Sequence, residues 1–290
     1  MKHIKVKEFA TTDVKTIPAR STVMHALKLM LEHNFRRMPV ADAGTKRLMG
    51  IFTTTDLINF FGGGDKYKIV TNRFNGNLAA AINEHVDEIM EKDVIILKED
   101  STIKEAIEIF FEKKIGGCPI VDEENRVVGI FTERDLLRFL KDHIQKDGSV
   151  RSFMTTCVFT ASPETSIKEA MENMILRKIR RLPVVENGKV VGVITTRELV
   201  RYFGSGEAFK YLESGDIKDA IEKPLQVILE NEEIMRFRPL VTVDSKASIS
   251  DVVEKMLSEK TGVVVVLKKG KLEGIITERD LVKFLHEKGV

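Results

Sequence analysis

The sequence predicts an α+β protein built from four copies of one strand–helix–strand–strand–helix unit, arranged as two pairs. Three observations carry this. The octet GIFTERDL at 129–136 returns as GIITERDL at 274–281, with looser copies GIFTTTDL at 50–57 and GVITTREL at 192–199. Upstream of each octet a second pattern recurs with apolar residues at helical spacing: STVMHALKLM (21–30), STIKEAIEIF (101–110), TSIKEAMENM (165–174) and ASISDVVEKM (247–256). Finally, Thr53 and Thr195 stand 195 − 53 = 142 residues apart, and Thr132 and Thr277 stand 277 − 132 = 145 apart, so the larger repeat is a pair.

The elements follow in order within each unit. Three of the upstream helices open on a hydroxyl residue with an acid three positions on, Thr102/Glu105, Ser166/Glu169 and Ser248/Asp251, which read as capping boxes; the first copy lacks the acid. An apolar strand pair comes next, as in RLPVV and KVVGVIT, divided by the turn residues Glu186 to Gly188. The octet then leads into a second helix such as DLLRFLKDH. Units are expected at 6–63, 86–143, 150–206 and 225–288, the first pairing with the second and the third with the fourth. Linkers are expected at 64–85 and 207–224, where FGGGDKYKIV parallels FGSGEAFKYL. An additional stretch near Glu230 to Phe237 distinguishes the second half.

Composition narrows the function classes. The 290 residues suffice for two ordinary domains, and 43% hydrophobic with 31% charged residues describes a soluble globular chain. Forty-six basic against 44 acidic side chains leave +2, which argues against nucleic acid as a partner. No apolar run approaches the roughly 20 residues that span a bilayer, and MKHIKVKEF lacks a secretory apolar segment, so no membrane role and a cytoplasmic location are expected. Cys118 and Cys157 form no disulfide framework and have no metal-ligand neighbours; Cys118, before Pro119, reads as core. Gly62 to Lys66 lacks the P-loop spacing and reads as a helix end before a flexible linker. No Ser-His-Asp arrangement, H-E-x-x-H or Cys-x-x-Cys is found, so neither a catalytic residue nor a metal site is expected. The helix methionines Met24, Met30, Met171 and Met174 read as core.

The runs RRLPVVENGKVVGVITTREL, RRMPV with GIFTTTDL, and GGCPIVDEENRVVGIFTERDL resemble CBS motifs, and the resemblance covers most of the chain outside the linkers. Four such motifs in two tandem pairs resemble two Bateman modules, an organisation similar to that of the gamma subunit of AMP-activated protein kinase. The resemblance implies that paired motifs pack through their sheets, that two pairs stack into a disc, and that clefts between motifs take adenosine-containing ligands. No segment is left over for the catalytic barrel of inosine monophosphate dehydrogenase, an enzyme that carries an inserted CBS pair.

The T-x-x-D element has two readings. Thr53/Asp56, Thr132/Asp135, Thr195/Glu198 and Thr277/Asp280 all fit a capping box that needs no ligand. The same helix start offers free N–H groups and a positive dipole end to a phosphate, joined by the Thr hydroxyl. A carboxylate one turn away can accept from the hydroxyls of a ribose. The resemblance assigns these roles, phosphate to Thr and ribose to Asp, and Thr55 lies within the first copy. Arg36 and Arg37 precede Met38-Pro39, and Arg180 and Arg181 precede Leu182-Pro183; the planar guanidinium suits phosphate, and the family often places a phosphate-touching basic residue here. The other reading of these arginines is a solvated strand start with surface ion pairs. The second and fourth motifs carry Gly116-Gly117 and Gly262-Val263 instead, with Val265 where proline would stand, and Glu198 reaches a methylene further than Asp.

The function expected is therefore a non-catalytic sensor in which AMP, ADP or ATP binds between paired motifs and an unidentified partner protein is regulated. The alternatives are a sensor of S-adenosylmethionine or methylthioadenosine, and a scaffold or regulatory subunit whose clefts need no ligand. Either a monomeric disc or a homodimer is compatible with the repeats.

Overall fold

The computed structural model describes residues 4–143, 148–204, 206–214, 217–235 and 240–289. The first unit runs α1 (Val23–Glu32), β1 (Arg37–Ala41), β2 (Leu48–Thr53) and α2 (Thr54–Ile58), followed by α3 (Tyr67–Phe74) and α4 (Leu78–Ala81). In the second come β3 (Leu97–Lys98), α5 (Ile103–Lys113), β4 (Gly117–Val121), β5 (Val127–Thr132) and α6 (Glu133–His143). The third has α7 (Ile167–Leu176), β6 (Arg181–Glu186), β7 (Lys189–Thr195) and α8 (Thr196–Gly204). After it stand α9 (Gly206–Ser214), α10 (Ile217–Ile221), α11 (Gln226–Leu229) and α12 (Glu232–Met235). The fourth closes with β8 (Thr242–Asp244), α13 (Ile249–Ser258), β9 (Val263–Lys268), β10 (Lys271–Thr277) and α14 (Glu278–Glu287).

All four hairpins are antiparallel, and β3 and β8 add a parallel third strand in the second and fourth units. In the first and third the expected opening strand shrinks to single bridges, Ile17 to Val40 and Ala161 to Val184. Pro18 and Pro163 follow within two residues and supply no N–H to extend the ladder. Thr102 and Ser248 close full capping boxes, whereas Ser166 accepts from the Glu169 amide without a reciprocal bond. Cys118 is buried, and burial pushes its thiol up to about 12.

Pairing is enforced by an exchange of backbone bonds. The segment leading into each unit docks on the upstream helix start of its partner. Val6 N donates to Ser101 O at 2.9 Å and Val86 N to Ser21 O at 2.9 Å; in the second pair Val150 N donates to Ala247 O at 3.0 Å and Leu225 N to Thr165 O at 2.9 Å. The two pairs then meet through helices. One core joins the first and third units, where Phe61 and Phe203 lie with ring centroids 4.7 Å apart, and a second joins the second and fourth.

The segments read as linkers are folded. Val70, Leu78, Ala81, Ile217, Ala220 and Ile221 are buried in the core of units one and three. The flexible linker expected after Gly62 is instead a tight turn into α3: Gly62 takes φ of 131°, and a Cβ on Gly63 would stand 2.8 Å from Ile58 O. Of the additional stretch near Glu230 to Phe237, residues 236 and 237 lie outside the described residues, and Ile234 packs into the first core.

Candidate anion-binding site between the four units

All four T-x-x-D elements adopt cap geometry. The amides of Thr53, Thr132, Thr195 and Thr277 donate to Asp56, Asp135, Glu198 and Asp280 at 2.8, 2.7, 3.0 and 2.7 Å. One carboxylate oxygen is thereby used in each copy. Of the others, Asp56 Oδ1 accepts from the Lys66 ammonium, Asp135 Oδ1 from Arg138, and Asp280 Oδ1 from the Thr155 hydroxyl at 2.9 Å. Burial raises the Asp135 and Glu198 carboxyls above their usual range despite the Thr hydrogen bonds that oppose it.

The residue after each of these threonines turns inward, so α2, α6, α8 and α14 bring Thr54, Glu133, Thr196 and Glu278 together, all buried. Thr54 and Thr196 share a 2.8 Å hydroxyl hydrogen bond across the two pairs. Glu278, with 0% side-chain exposure, accepts two bonds from Arg36 at 2.7 and 3.0 Å, one from Arg134 at 2.8 Å and one from Arg181 at 2.8 Å. Glu133 accepts from Arg180 at 2.9 Å and Arg279 at 3.4 Å. Burial pushes both carboxyls upward, but these guanidiniums outweigh it and hold them below the usual carboxylate range, Glu278 well below.

The two arginine pairs, expected from sequence to touch phosphate or else to stand as a solvated strand start, are half-buried and bridge units. Burial, with Arg180 beside it, pushes the Arg37 guanidinium down to about 10; Arg181 is pushed to about 10 by burial, which Glu278 only partly offsets. Arg37 donates to Gly117 O at 2.9 Å and has no ion pair among the described residues. Neither has Arg197, whose Nε is buried without a hydrogen-bond partner. A buried donor without a partner is costly unless something binds it.

The glycines of the second and fourth motifs now have a reason. A Cβ on Gly116 would stand 2.5 Å from Arg180 Nη1 and 2.7 Å from Glu133 Oε2; one on Gly262 would stand 2.7 Å from both Arg181 Nη2 and Glu278 Oε2. These positions make room for the arginines of the other motifs. Gly262→Ala is expected to cost about 1–3 kcal/mol by displacing that pair, read as a lowered melting temperature.

Two cavities open on this cluster. The larger, about 760 Å³, is lined by Arg36, Arg37, Thr53, Thr55, Asp56, Arg180, Arg181 and Thr195 among the residues expected from sequence. Its size suits a small-molecule ligand. The smaller, about 250 Å³, borders Thr132. Arg37 and Arg197 line both. Asp135, Glu198, Thr277 and Asp280 line neither. Isolated backbone bridges join Ile51 to Glu91 at the larger cavity, Thr11 to Ile130 at the smaller, and Thr155 to Ile275, which line neither. At the third unit no such bridge forms among the described residues, and Val193 faces the larger cavity with Leu240 and Val241.

Sequence reading missed Glu133, Glu278, Arg134, Arg197 and Arg279. The signal was available, since the middle of T-x-x-D reads Glu-Arg, Thr-Arg and Glu-Arg in three copies. Among the described residues no group of three acidic, His or Cys side chains is placed to hold a metal, and no helix is long and apolar enough to cross a membrane.

Comparison with known proteins agrees with this architecture. The uncharacterised protein MJ1225 of Methanocaldococcus jannaschii is 36% identical over 272 residues, covering 93% of this chain and 95% of that one. An uncharacterised 33.4 kDa protein from the ribosomal RNA operon of Thermofilum pendens is 31% identical over 275 residues, covering 94% and 89%. The crystal structure of MJ1225, described as a proposed archaeal homologue of g-AMPK, superposes with a TM-score of 0.91 at 34% identity, covering 97% of this chain and 100% of that one. The CBS domain profile matches at 6–63, 86–142, 150–205 and 232–287. With its repeats, their reciprocal docking and these matches in agreement, the chain belongs to the CBS-domain family, as a protein of four CBS domains in two pairs.

Proposed function

We propose that this protein is a non-catalytic sensor of adenine nucleotides, AMP, ADP or ATP, whose phosphates bind the central arginines. The observation that carries the reading is the pair Arg37 and Arg197, half-buried arginines that line both cavities and make no ion pair among the described residues, the Arg197 Nε being buried without a hydrogen-bond partner. An anion there would relieve a repulsion that the fold otherwise carries. In the larger cavity Asp56 stands one helical turn from Thr53 and serves as the ribose acceptor, sharing Oδ1 with Lys66. Thr132/Asp135, Thr195/Glu198 and Thr277/Asp280 would serve the remaining clefts. Ligand binding would favour one packing of the two pairs, and the altered surface would report to a regulated protein. S-adenosylmethionine would offer these arginines only the single carboxylate of its methionine end, less negative charge than a phosphate monoester brings, so the arginines favour nucleotides.

Calorimetry with AMP, ATP, S-adenosylmethionine and GMP tests this on wild type, Asp56→Ala and Asp135→Ala. Adenine nucleotides should bind and GMP should not, and each substitution should weaken binding roughly tenfold, the loss of about one charged-acceptor hydrogen bond. A drop in stability of about 1 kcal/mol with unchanged affinity would mark the carboxylate as a helix cap only.

A further inference from the structure

The guanidiniums of the central cluster are shared unequally. Glu278 engages Arg36, Arg134 and Arg181, and Glu133 engages Arg180 and Arg279. Both carboxylates are sealed from solvent, with side-chain exposures of 0% and 2%. Arg37 and Arg197, which line both cavities, remain outside any ion pair among the described residues. We propose that Glu278 and Glu133 are resident counter-anions that set how much negative charge the site admits, and so discriminate among ligands by the length of their phosphate chain.

The argument is one of charge matching. A phosphate monoester brings about two negative charges, and Arg37 with Arg197 can meet them without breaking an internal pair. A triphosphate brings roughly twice that charge and must draw guanidiniums away from Glu278 or Glu133. Each buried carboxylate would then lose partners it cannot replace with water, a penalty that grows with the chain of phosphates. Discrimination of this kind works by a repulsive element built against the longer ligand, not by the shape of the cavity. The proposal rests on the reading that anions enter the arginine-lined cavity, and it names the residues that limit their charge.

Calorimetry on the full chain uses orthophosphate, tripolyphosphate and adenosine as probes against wild type, Glu278→Gln and Glu133→Gln. Glu278→Gln releases three guanidiniums, so tripolyphosphate should tighten at least tenfold more than orthophosphate does; Glu133→Gln releases two and should give a smaller change of the same sign. An unchanged ratio, or one that moves toward orthophosphate, overturns the proposal. Because Glu278→Gln strips partners from half-buried arginines, it is also melted with each anion: recovery of the melting temperature by tripolyphosphate beyond that by orthophosphate supports the proposal, and equal recovery overturns it. Should Glu278→Gln not fold, Glu133→Gln carries the same measurements. Adenosine separates the two readings. A moved anion ratio without adenosine binding sinks the nucleotide assignment and leaves the counter-anions standing, while adenosine binding with an unmoved ratio does the reverse. No anion binding to any form overturns both.

Discussion

The double variant Arg37→Gln/Arg197→Gln is expected to lose affinity for a nucleoside monophosphate by on the order of 100-fold, since two charge-assisted hydrogen bonds at about 1.5 kcal/mol each are removed. Without ligand it should melt at a higher temperature than wild type. Both effects have one cause. Arg37 is partly desolvated, Arg197 buries its Nε without a hydrogen-bond partner, and both lie among five other arginines with no ion pair among the described residues. Neutral Gln retains a donor for Gly117 O, which Arg37 now reaches at 2.9 Å, while the buried charge disappears. Removing half-buried charges that Glu133 and Glu278 offset only at a distance should stabilise the fold by about 1 kcal/mol. Arg36→Gln provides the contrast. It breaks the two-bond contact to Glu278, at 2.7 and 3.0 Å, and should lower the melting temperature. Melting curves and calorimetry on the three proteins check this; a double variant that is less stable than wild type would mean that Arg37 and Arg197 are structural.

The repeat carried most of the fold. Octet, capped helix and strand pair are local patterns, and each appears where its spacing places it, because the buried face of each element is written in its own residues. What was not legible depends on partners distant in the chain. The reach of Arg36 to Glu278 spans 242 residues, so nothing local distinguishes it from a surface arginine. Gly116 and Gly262 read as a missing basic pair because the need for space is set by Arg180 and Arg181 of another unit. The segment after Gly62 read as flexible from its glycines, yet its apolar residues Val70 and Leu78 find a core that the first unit shares with the third. At the site, the Thr and acidic positions were legible as a pattern, but cap and ligand readings share the same atoms. The cavity wall separates them only for Asp56, which lines the larger space.

Phe61→Ala should destabilise the fold by about 3–5 kcal/mol, the cost of emptying a fully buried aromatic site. For a chain of this size that corresponds to a fall in melting temperature on the order of 10 °C. Phe61 has 0% exposure and packs on Phe203 at 4.7 Å, so it belongs to the contact between the two pairs and not to either alone. Interiors are close-packed, and the cavity left behind would open between α8 and the π-helical turn Asn59–Gly63 that continues α2. α2 and α8 begin at Thr54 and Thr196, which share a 2.8 Å hydroxyl hydrogen bond and whose amides donate to Arg36 O and Arg180 O at 3.0 and 3.2 Å, tying the helix contact to the arginine-bearing strands. The variant should therefore also weaken anion binding, although Phe61 lies in the core and lines neither cavity. Met49→Ala, at a side chain 45% exposed on β2, should change stability by no more than about 0.5 kcal/mol and leave anion binding alone. If Phe61→Ala lowered stability as expected and anion affinity stayed at the wild-type value, the arginine cluster would be held by its glutamates alone. The packing of one pair on the other would then have no channel to the site, and the sensor mechanism would lose the link between ligand and surface.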